Sequence, residues 1–486
     1  MKVYDESQVT PGYILMSPFT APPGGNLNAG SDSGSSSSSP ESLTELLENQ
    51  IQTGPYIFDS DGTLIFSGYG VGGGMYTHDV KIARINGSSY LTYFSGVDPT
   101  AGARGQGVVM DTSYRVVDTI NTGNGKAGND IHEFTILADE GTALTTIFEP
   151  THYNLKPQGL DQPWGYVVQG IMQEINIATG DVKFEWQAID HVDPSESYHP
   201  YNRTDPTGNG TTSSTAWDFF SQTGDYLISS RYMCALYRLD AKTGKIVWQL
   251  GDMSNQFKFN GLNTTFAFQH HARIRSENGT RAIISIFDNG SDGFVTRSKA
   301  SSGIFMEVDT ANMTATQLKQ FYFPEPNLST SQGSTQLLCN GNVFMGWGSL
   351  PRISEYASSG ECVMAASFAP ISAVSENYRA FKIPKEDWIG MPESKPAIWS
   401  YANSTSSPLS IFVSWNGATE IKQWEFWGQT DAGAMNSTHL GTIPKHGFET
   451  VFNATQYYPY AYAEAIDAKG KSLGKSLVQK TYVVGS

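Results

Sequence analysis

The chain has 486 residues, with 31 Lys+Arg against 47 Asp+Glu and a net charge of −16, a balance that argues against a phosphate-backbone partner such as nucleic acid. Charged residues make up only 16%, while 49 glycines and 12% aromatics stand out. That composition excludes a helical bundle or coiled coil in favour of a β-rich, turn-rich protein, and no apolar run reaches the ~18 residues of a membrane span.

Met1-Lys2-Val3-Tyr4-Asp5 opens the chain without an apolar leader core. Gly12–Ser17 reads as an early strand. Residues 29–40 are a glycine- and serine-rich tract, and we expect 29–53 to form a flexible surface insertion. A strand–turn–strand unit then recurs at Pro55–Gly68, Val108–Ile120, Gln173–Gln187, Tyr237–Leu250, Met306–Phe323 and Ser354–Phe368, each alternating apolar and polar residues around a turn. One anchor from each copy (Asp59, Asp111, Asn176, Asp240, Asp309, Tyr356) gives gaps of 52, 65, 64, 69 and 47 residues. A four-stranded propeller blade needs about 40–50 residues, so six copies predict a six-bladed β-propeller with loop insertions. A pair of ordinary β-sandwiches is the competing reading.

Tyr378–Ile383 is expected to supply a strand that closes the ring against the N-terminal blade. Beyond Pro392–Pro396 the short segments Ile411–Trp415, Ile421–Trp427, Thr450–Phe452, Tyr458–Ile466 and Ser476–Val484 predict a small fibronectin-III or immunoglobulin-like β-sandwich. The expected domains are a propeller over 1–390 and a sandwich over 391–486.

Three strand openings begin with histidine and turn at a glycine nine residues later: His78–Gly87, His132–Gly141 and His270–Gly279. Equal spacing implies equal radial position, so three imidazoles are expected around one central channel. Only nine histidines occur in the chain, which makes chance placement at one phase a poor account. The fourth repeat, Trp217-Asp218-Phe219-Phe220-Ser221-Gln222-Thr223-Gly224, breaks the pattern with Thr215 nine residues before its glycine, and Gln332 holds the corresponding place before Gly341. A neutral imidazole can accept a sulfuryl, phosphoryl or acyl group and pass it on. Arg231, on the expected second strand of blade four, could hold the oxygens of the moving group.

Asn-x-Ser/Thr acceptors occur at Asn86, Asn202, Asn209, Asn263, Asn278, Asn289, Asn312, Asn327, Asn403, Asn436 and Asn453. They lead us to expect a secreted or secretory-lumen glycoprotein whose leader is missing from this sequence. Of Cys234, Cys339 and Cys362, the expected disulfide joins Cys339 to Cys362. No cysteine–histidine metal spacing is present, and Asp288-Asn289-Gly290-Ser291-Asp292-Gly293 reads as a turn.

The ordered runs Asp130-Ile131-His132-Glu133-Phe134, Trp217-Asp218-Phe219-Phe220, Ser229-Ser230-Arg231 and Phe268-Gln269-His270 resemble the motifs of arylsulfotransferases of the six-bladed propeller type, with the serine-rich segment and C-terminal sandwich similar to the fungal branch. The resemblance implies transfer of a sulfuryl group from a phenolic sulfate ester to a phenol through a sulfohistidine, with no adenosine phosphosulfate and no other cofactor. By motif His270 matches the nucleophile, while His132 and Arg231 match groups that bind sulfuryl oxygens or assist the leaving phenolate. His78, His271, Phe220 and Tyr232 are expected to line the aromatic substrate; strand alternation turns His271 away from the His270 side. The family continues the Trp-Asp-Phe-Phe run with a His-x-Asn-Ser segment that this sequence lacks, through either a lost coding piece or a lost catalytic histidine. The alternative function is a degenerate propeller that binds an apolar small molecule or acts as a cyclase in fungal natural-product assembly.

Overall fold

The computed structural model describes residues 1–20, 52–71, 75–97, 103–158, 164–198, 217–222, 225–261, 266–370, 375–433 and 435–484. Among them the chain is all-β, with strands joined by turns and short 3₁₀ segments. It divides into two compact units, one of Met1–Pro55, Gly68–Val109 and Asp118–Ile383, the other of Tyr56–Ser67, Met110–Val117 and Pro384–Ser486.

The first unit is a β-propeller. Its sheets follow the chain: Tyr76–Ile85 opens one, Phe134–Leu137 the next, Trp217–Gln222 the third, His270–Asn278 the fourth and Ser334–Leu337 the fifth, each succeeded by the next strands in sequence. Tyr13–Met16 pairs antiparallel with Phe381–Ile383, so the expected closing strand is found where the sequence put it. Residues from both ends of this unit share one strand pair, and Lys2–Val3 adds to the edge strand Cys362–Ser367. The six anchors all fall at hairpin turns, and there is a chemical reason for five of them. Asx side chains accept main-chain N–H groups just ahead: Ser60 on Asp59, Ser113 on Asp111, Ala178 and Thr179 on Asn176, Lys242 and Thr243 on Asp240, Ala311 and Asn312 on Asp309. Between sheets the packing is apolar: Leu144, Phe148, Met172 and Trp186 meet Tyr226, Ile228, Met233 and Tyr237 in one cluster, and Leu236 and Leu250 meet Ile274, Ile284 and Ile304 in another.

The second unit holds two sheets, one including Ala397–Ala402, Leu409–Ser414 and Glu449–Asn453, the other including Gln423–Gln429, Thr438–Pro444 and Tyr460–Ile466. Alternate residues Leu409, Ile411, Val413, Trp424, Phe426, Ala461 and Ala463 fill its core. Trp415 and Trp424 are in that core; Trp427 instead stacks on Tyr462 on the outer side of its sheet.

Candidate active site

The three histidines at one sequence phase come together. Tyr378, just ahead of the closing strand, presents one ring to all of them, with centroid distances of 6.0 Å to His78, 5.8 Å to His132 and 6.5 Å to His270. Each imidazole stands steeply to it, at 73°, 88° and 81°, the edge-to-face arrangement that ring quadrupoles favour. The Tyr378 hydroxyl donates to the His132 carbonyl at 3.3 Å. Tyr378 is buried, and sequence reading had assigned its segment to closure alone.

Asn289 and Gln332 hold His270. Its Nδ1 lies 2.7 Å from Asn289 Oδ1, and its Nε2 accepts the Gln332 N–H at 3.2 Å. The Asn289 amide nitrogen donates to the Ser329 carbonyl at 2.7 Å and the Gln332 carbonyl at 3.0 Å. With that NH₂ spent on carbonyls, Oδ1 must be the acceptor, so the network assigns the His270 proton to Nδ1 and the lone pair to Nε2. Asn289 is therefore not an exposed glycan acceptor: it is 0% exposed, and its amide nitrogen is committed to two carbonyls. Asn86, Asn278, Asn312, Asn327, Asn403, Asn436 and Asn453 are exposed, while Asn202, Asn209 and Asn263 lie outside the described residues, as does the serine-rich insertion except for its last two residues.

His271 sits differently, though strand alternation is not the cause. The pairing shifts register between His270 and Arg273, and His271 has φ +52°. Its Nδ1 faces the N–H and carbonyl of Thr335, both at 3.1 Å, in the neighbouring sheet. Burial, helped by Arg273, Arg379, Arg275 and Lys81, pushes its pKa well below the ordinary value and keeps it neutral. This histidine joins two sheets.

His78 is fully buried among Phe19, Tyr76, Phe94 and Tyr378, and neither ring nitrogen meets a partner among the described residues. Burial lowers its pKa to about 3, so it serves only as a neutral donor or acceptor. His132 is the more open of the two, and its Nδ1 is in close contact with Asp130 Oδ1, which also accepts the His132 N–H. The opposite ring face lies on Phe148, 4.5 Å between centroids. A carboxylate on Nδ1 orients the ring.

Arg231 is not on a strand. Asp225–Ser230 ends one residue earlier, and Arg231 opens the turn to Ala235–Asp240. It donates to Tyr232 Oη at 2.8 Å and to the Thr330 carbonyl at 2.7 Å, while its buried Nε meets no partner among the described residues. Two residues past Thr330, the Gln332 N–H meets His270, so one short segment ties the guanidinium to the nucleophile candidate. Tyr232 packs against Arg231 through its ring face. The Phe220 side chain lies outside the described residues.

Next to the histidines is an ion cluster that sequence reading missed. Glu133 accepts from Arg273 at 2.6 Å, from Arg379 at 2.9 Å and from Lys81 at 2.9 Å, and Asp79 takes Lys81 at 2.6 Å and Arg379 at 3.1 Å. Burial alone would raise the Glu133 carboxyl; Arg273, Lys81 and Arg379 outweigh it and hold the group well below the usual carboxylate range. Arg379 also donates to the His132 carbonyl at 2.9 Å. The partial signal was the Asp79, Lys81 and Arg273 alternation on the histidine strands themselves.

The disulfide expectation is not met. Cys339 is an exposed free thiol at a hairpin turn, and Cys362 is a free thiol facing its own strand, with Sγ 3.4 Å from the Met364 carbonyl. Cys234 is free and buried.

Among solved structures the chain is similar to a protein of unknown function from Bacteroides caccae, at 11% identity over 77% of this chain and 99% of that one with a TM-score of 0.41. It is also similar to the Dos1 propeller (11% identity, 81% and 78% covered, TM-score 0.28) and to the Cps50 (Swd1) β-propeller domain of Myceliophteria thermophila (11%, 62% and 95%, 0.31). No functionally curated protein matches it. The arylsulfotransferase (ASST) family model matches residues 81–369, well over half of the chain and the stretch that carries His132, Arg231 and His270. A propeller whose histidines converge under one ring, matched over its body by that model, belongs to the arylsulfotransferase family.

Proposed function

We propose that this chain moves a sulfuryl group from a phenolic sulfate ester to a phenol through a covalent adduct on His270. The observation that carries the reading is the Asn289 contact, which fixes the proton on Nδ1 and leaves the Nε2 lone pair for attack. In the first half-reaction Nε2 displaces the aryl oxygen: the N–S bond forms, the S–O(aryl) bond breaks, and the positive charge on the ring is shared through Nδ1–H with Asn289. Protonated His132, oriented by Asp130, gives its proton to the departing phenolate. The unspent Nε–H of Arg231 is a donor for the sulfuryl oxygens. In the second half-reaction neutral His132 takes the proton of the acceptor phenol, whose oxygen attacks sulfur as the N–S bond breaks. The Gln332 N–H on Nε2 must yield to the incoming sulfur.

No step here uses a histidine from the Trp217–Gln222 segment, so the cycle closes with His132 as its acid and base. The test is aryl sulfate turnover with a phenol acceptor, followed by quenching and mass analysis of the peptide that carries His270. Phenol release with a sulfuryl adduct there, both lost in His270→Ala, is the expected result. Full turnover by His270→Ala would refute it. A folded wild type without turnover or adduct would move the function to the binding or cyclase reading.

A further inference from the structure

One wall of the candidate site extends well beyond it. Phe134–Leu137 pairs only with Thr142–Thr145, yet the strands Thr142–Asn154 and Trp164–Asn176 stay paired to Asn154↔Trp164. The level of the histidine on this wall is fixed by Phe148, whose ring stacks on His132. From Phe148 the hairpin runs six more residue pairs, roughly 20 Å at about 3.3 Å per residue.

Period two decides what this extension presents. Phe148, Pro150, His152 and Asn154 lie on one face, and their direct partners Gly170, Val168, Tyr166 and Trp164 lie on the same face. The face that begins under His132 therefore continues outward through exposed Pro150 and buried Val168, then as an aromatic group. His152 stacks on Trp164 at 5.2 Å and 22°, and packs on Tyr166 at 5.4 Å. Trp164 is 58% exposed and Tyr166 44% exposed, in a chain whose other large rings are mostly inside. Two exposed rings held by a stacked histidine, about 13 Å from the Phe148 level, form a preformed aromatic platform.

We infer that this hairpin is a specificity arm whose His152–Trp164–Tyr166 platform binds a second aromatic ring of the phenolic substrate. The inference rests on the proposed aryl chemistry at His270 and narrows its substrate class to extended phenols, with two aromatic groups separated by about 10–13 Å. Continuity of one sheet face from His132 to Trp164 is the argument for this occupant over any other. One-ring phenols reach the histidines and leave the platform empty.

The experiment is calorimetric titration of the full wild-type chain with acceptor phenols and no sulfate donor, so that nothing turns over. The probes are 4-nitrophenol and a linear bisphenol whose rings are joined by a spacer of about 10 Å. The bisphenol should bind roughly tenfold or more tightly than 4-nitrophenol, and Trp164→Ala/Tyr166→Ala should collapse that ratio to near one, as loss of two aromatic contacts implies. Trp164→Phe/Tyr166→Phe should keep most of the ratio, which separates lost stacking from a damaged hairpin. Equal wild-type affinity for both probes, or a ratio unmoved by the double alanine variant, would overturn the arm while leaving the aryl site standing. If neither probe binds the wild type, the aryl reading itself falls.

Discussion

Replacing Glu133 by Gln keeps the shape of the side chain and removes one negative charge from a place where three cations meet. Arg273, Arg379 and Lys81 all lie within 2.9 Å of its carboxylate, and Glu133, Arg379 and Arg273 are buried. Asp79 would still meet Lys81 and Arg379, Arg273 would lose its carboxylate partner, and the Gln amide nitrogen would point a further donor at one of the cations. Breaking a buried pair by deleting one partner costs about 3–5 kcal/mol, because the other charge stays desolvated. We expect Glu133→Gln to lose stability at that scale in urea unfolding followed by fluorescence of the ten tryptophans. Adding Arg273→Met should return part of the loss, with a coupling of about 2 kcal/mol between the two sites. The pH arm has a fixed sign: a carboxyl held below its unfolded value stabilises at all pH above about 4.5, and that contribution fades as pH falls toward its folded pKa. The wild type should therefore converge on the variant only in acid. A loss under about 1 kcal/mol, or strict additivity with Arg273→Met, would refute the cluster as the tie between these strands.

Asn289→Ala removes the acceptor that selects the His270 tautomer, and aryl sulfate turnover should fall about 10²-fold with little change in KM, the usual scale for a group that orients a reacting imidazole. Asp288→Asn should change the pH dependence of stability. Burial raises Asp288 to about 7, so in the wild type this group makes stability fall as pH rises from about 4 to 7, opposing His78, whose pKa of about 3 makes stability rise with pH over about 3 to 6.5. The variant should be more stable at pH 8 and show a steeper loss on acidification, read from thermal melts across that range; a flatter profile would contradict both assignments. Expressed through a eukaryotic secretory pathway, the chain should carry glycans at some of the seven exposed acceptors and none at Asn289 by peptide mass analysis. Thiol titration should find Cys339 reactive in the native state and Cys234 and Cys362 slow, as burial raises both thiols to about 11.

Local chemistry made much of the fold legible. Asx side chains accept main-chain N–H groups at five of the six anchor turns, so Asp111, Asn176, Asp240 and Asp309 mark the repeat without any knowledge of packing. The histidine phase was legible for the same reason: a residue a fixed distance from a turn glycine keeps its radial place in each sheet. What lay beyond reach was every contact between sheets. Asn289 fits a glycan motif in sequence, and only its position between Ser329 and Gln332 shows that it holds His270. His271 obeyed alternation on paper, but a register shift and a positive φ sent it to Thr335. Arg231 was expected on a strand and lies one residue past it, where its guanidinium reaches the Thr330 carbonyl far along the chain.

Tyr378 and Arg379 show why the site could not be found from the histidine repeats alone. They are about 250 residues from His132 in sequence, yet Arg379 holds the His132 carbonyl and Tyr378 touches all three imidazoles. Both lie just ahead of the strand Phe381–Ile383, whose pairing with Tyr13–Met16 joins the two ends of the unit. The site is therefore completed by the same event that closes the sheet ring. Before that pairing His78 and His132 have no common ring, and Glu133 lacks one of its three cations. A chain opened at this seam should lose the histidine geometry before it loses the blades, since the blades are local hairpins and the site is not. Under the proposed chemistry, coupling of this kind is a safeguard: an incompletely closed propeller would not present an aligned Nε2 to an aryl sulfate.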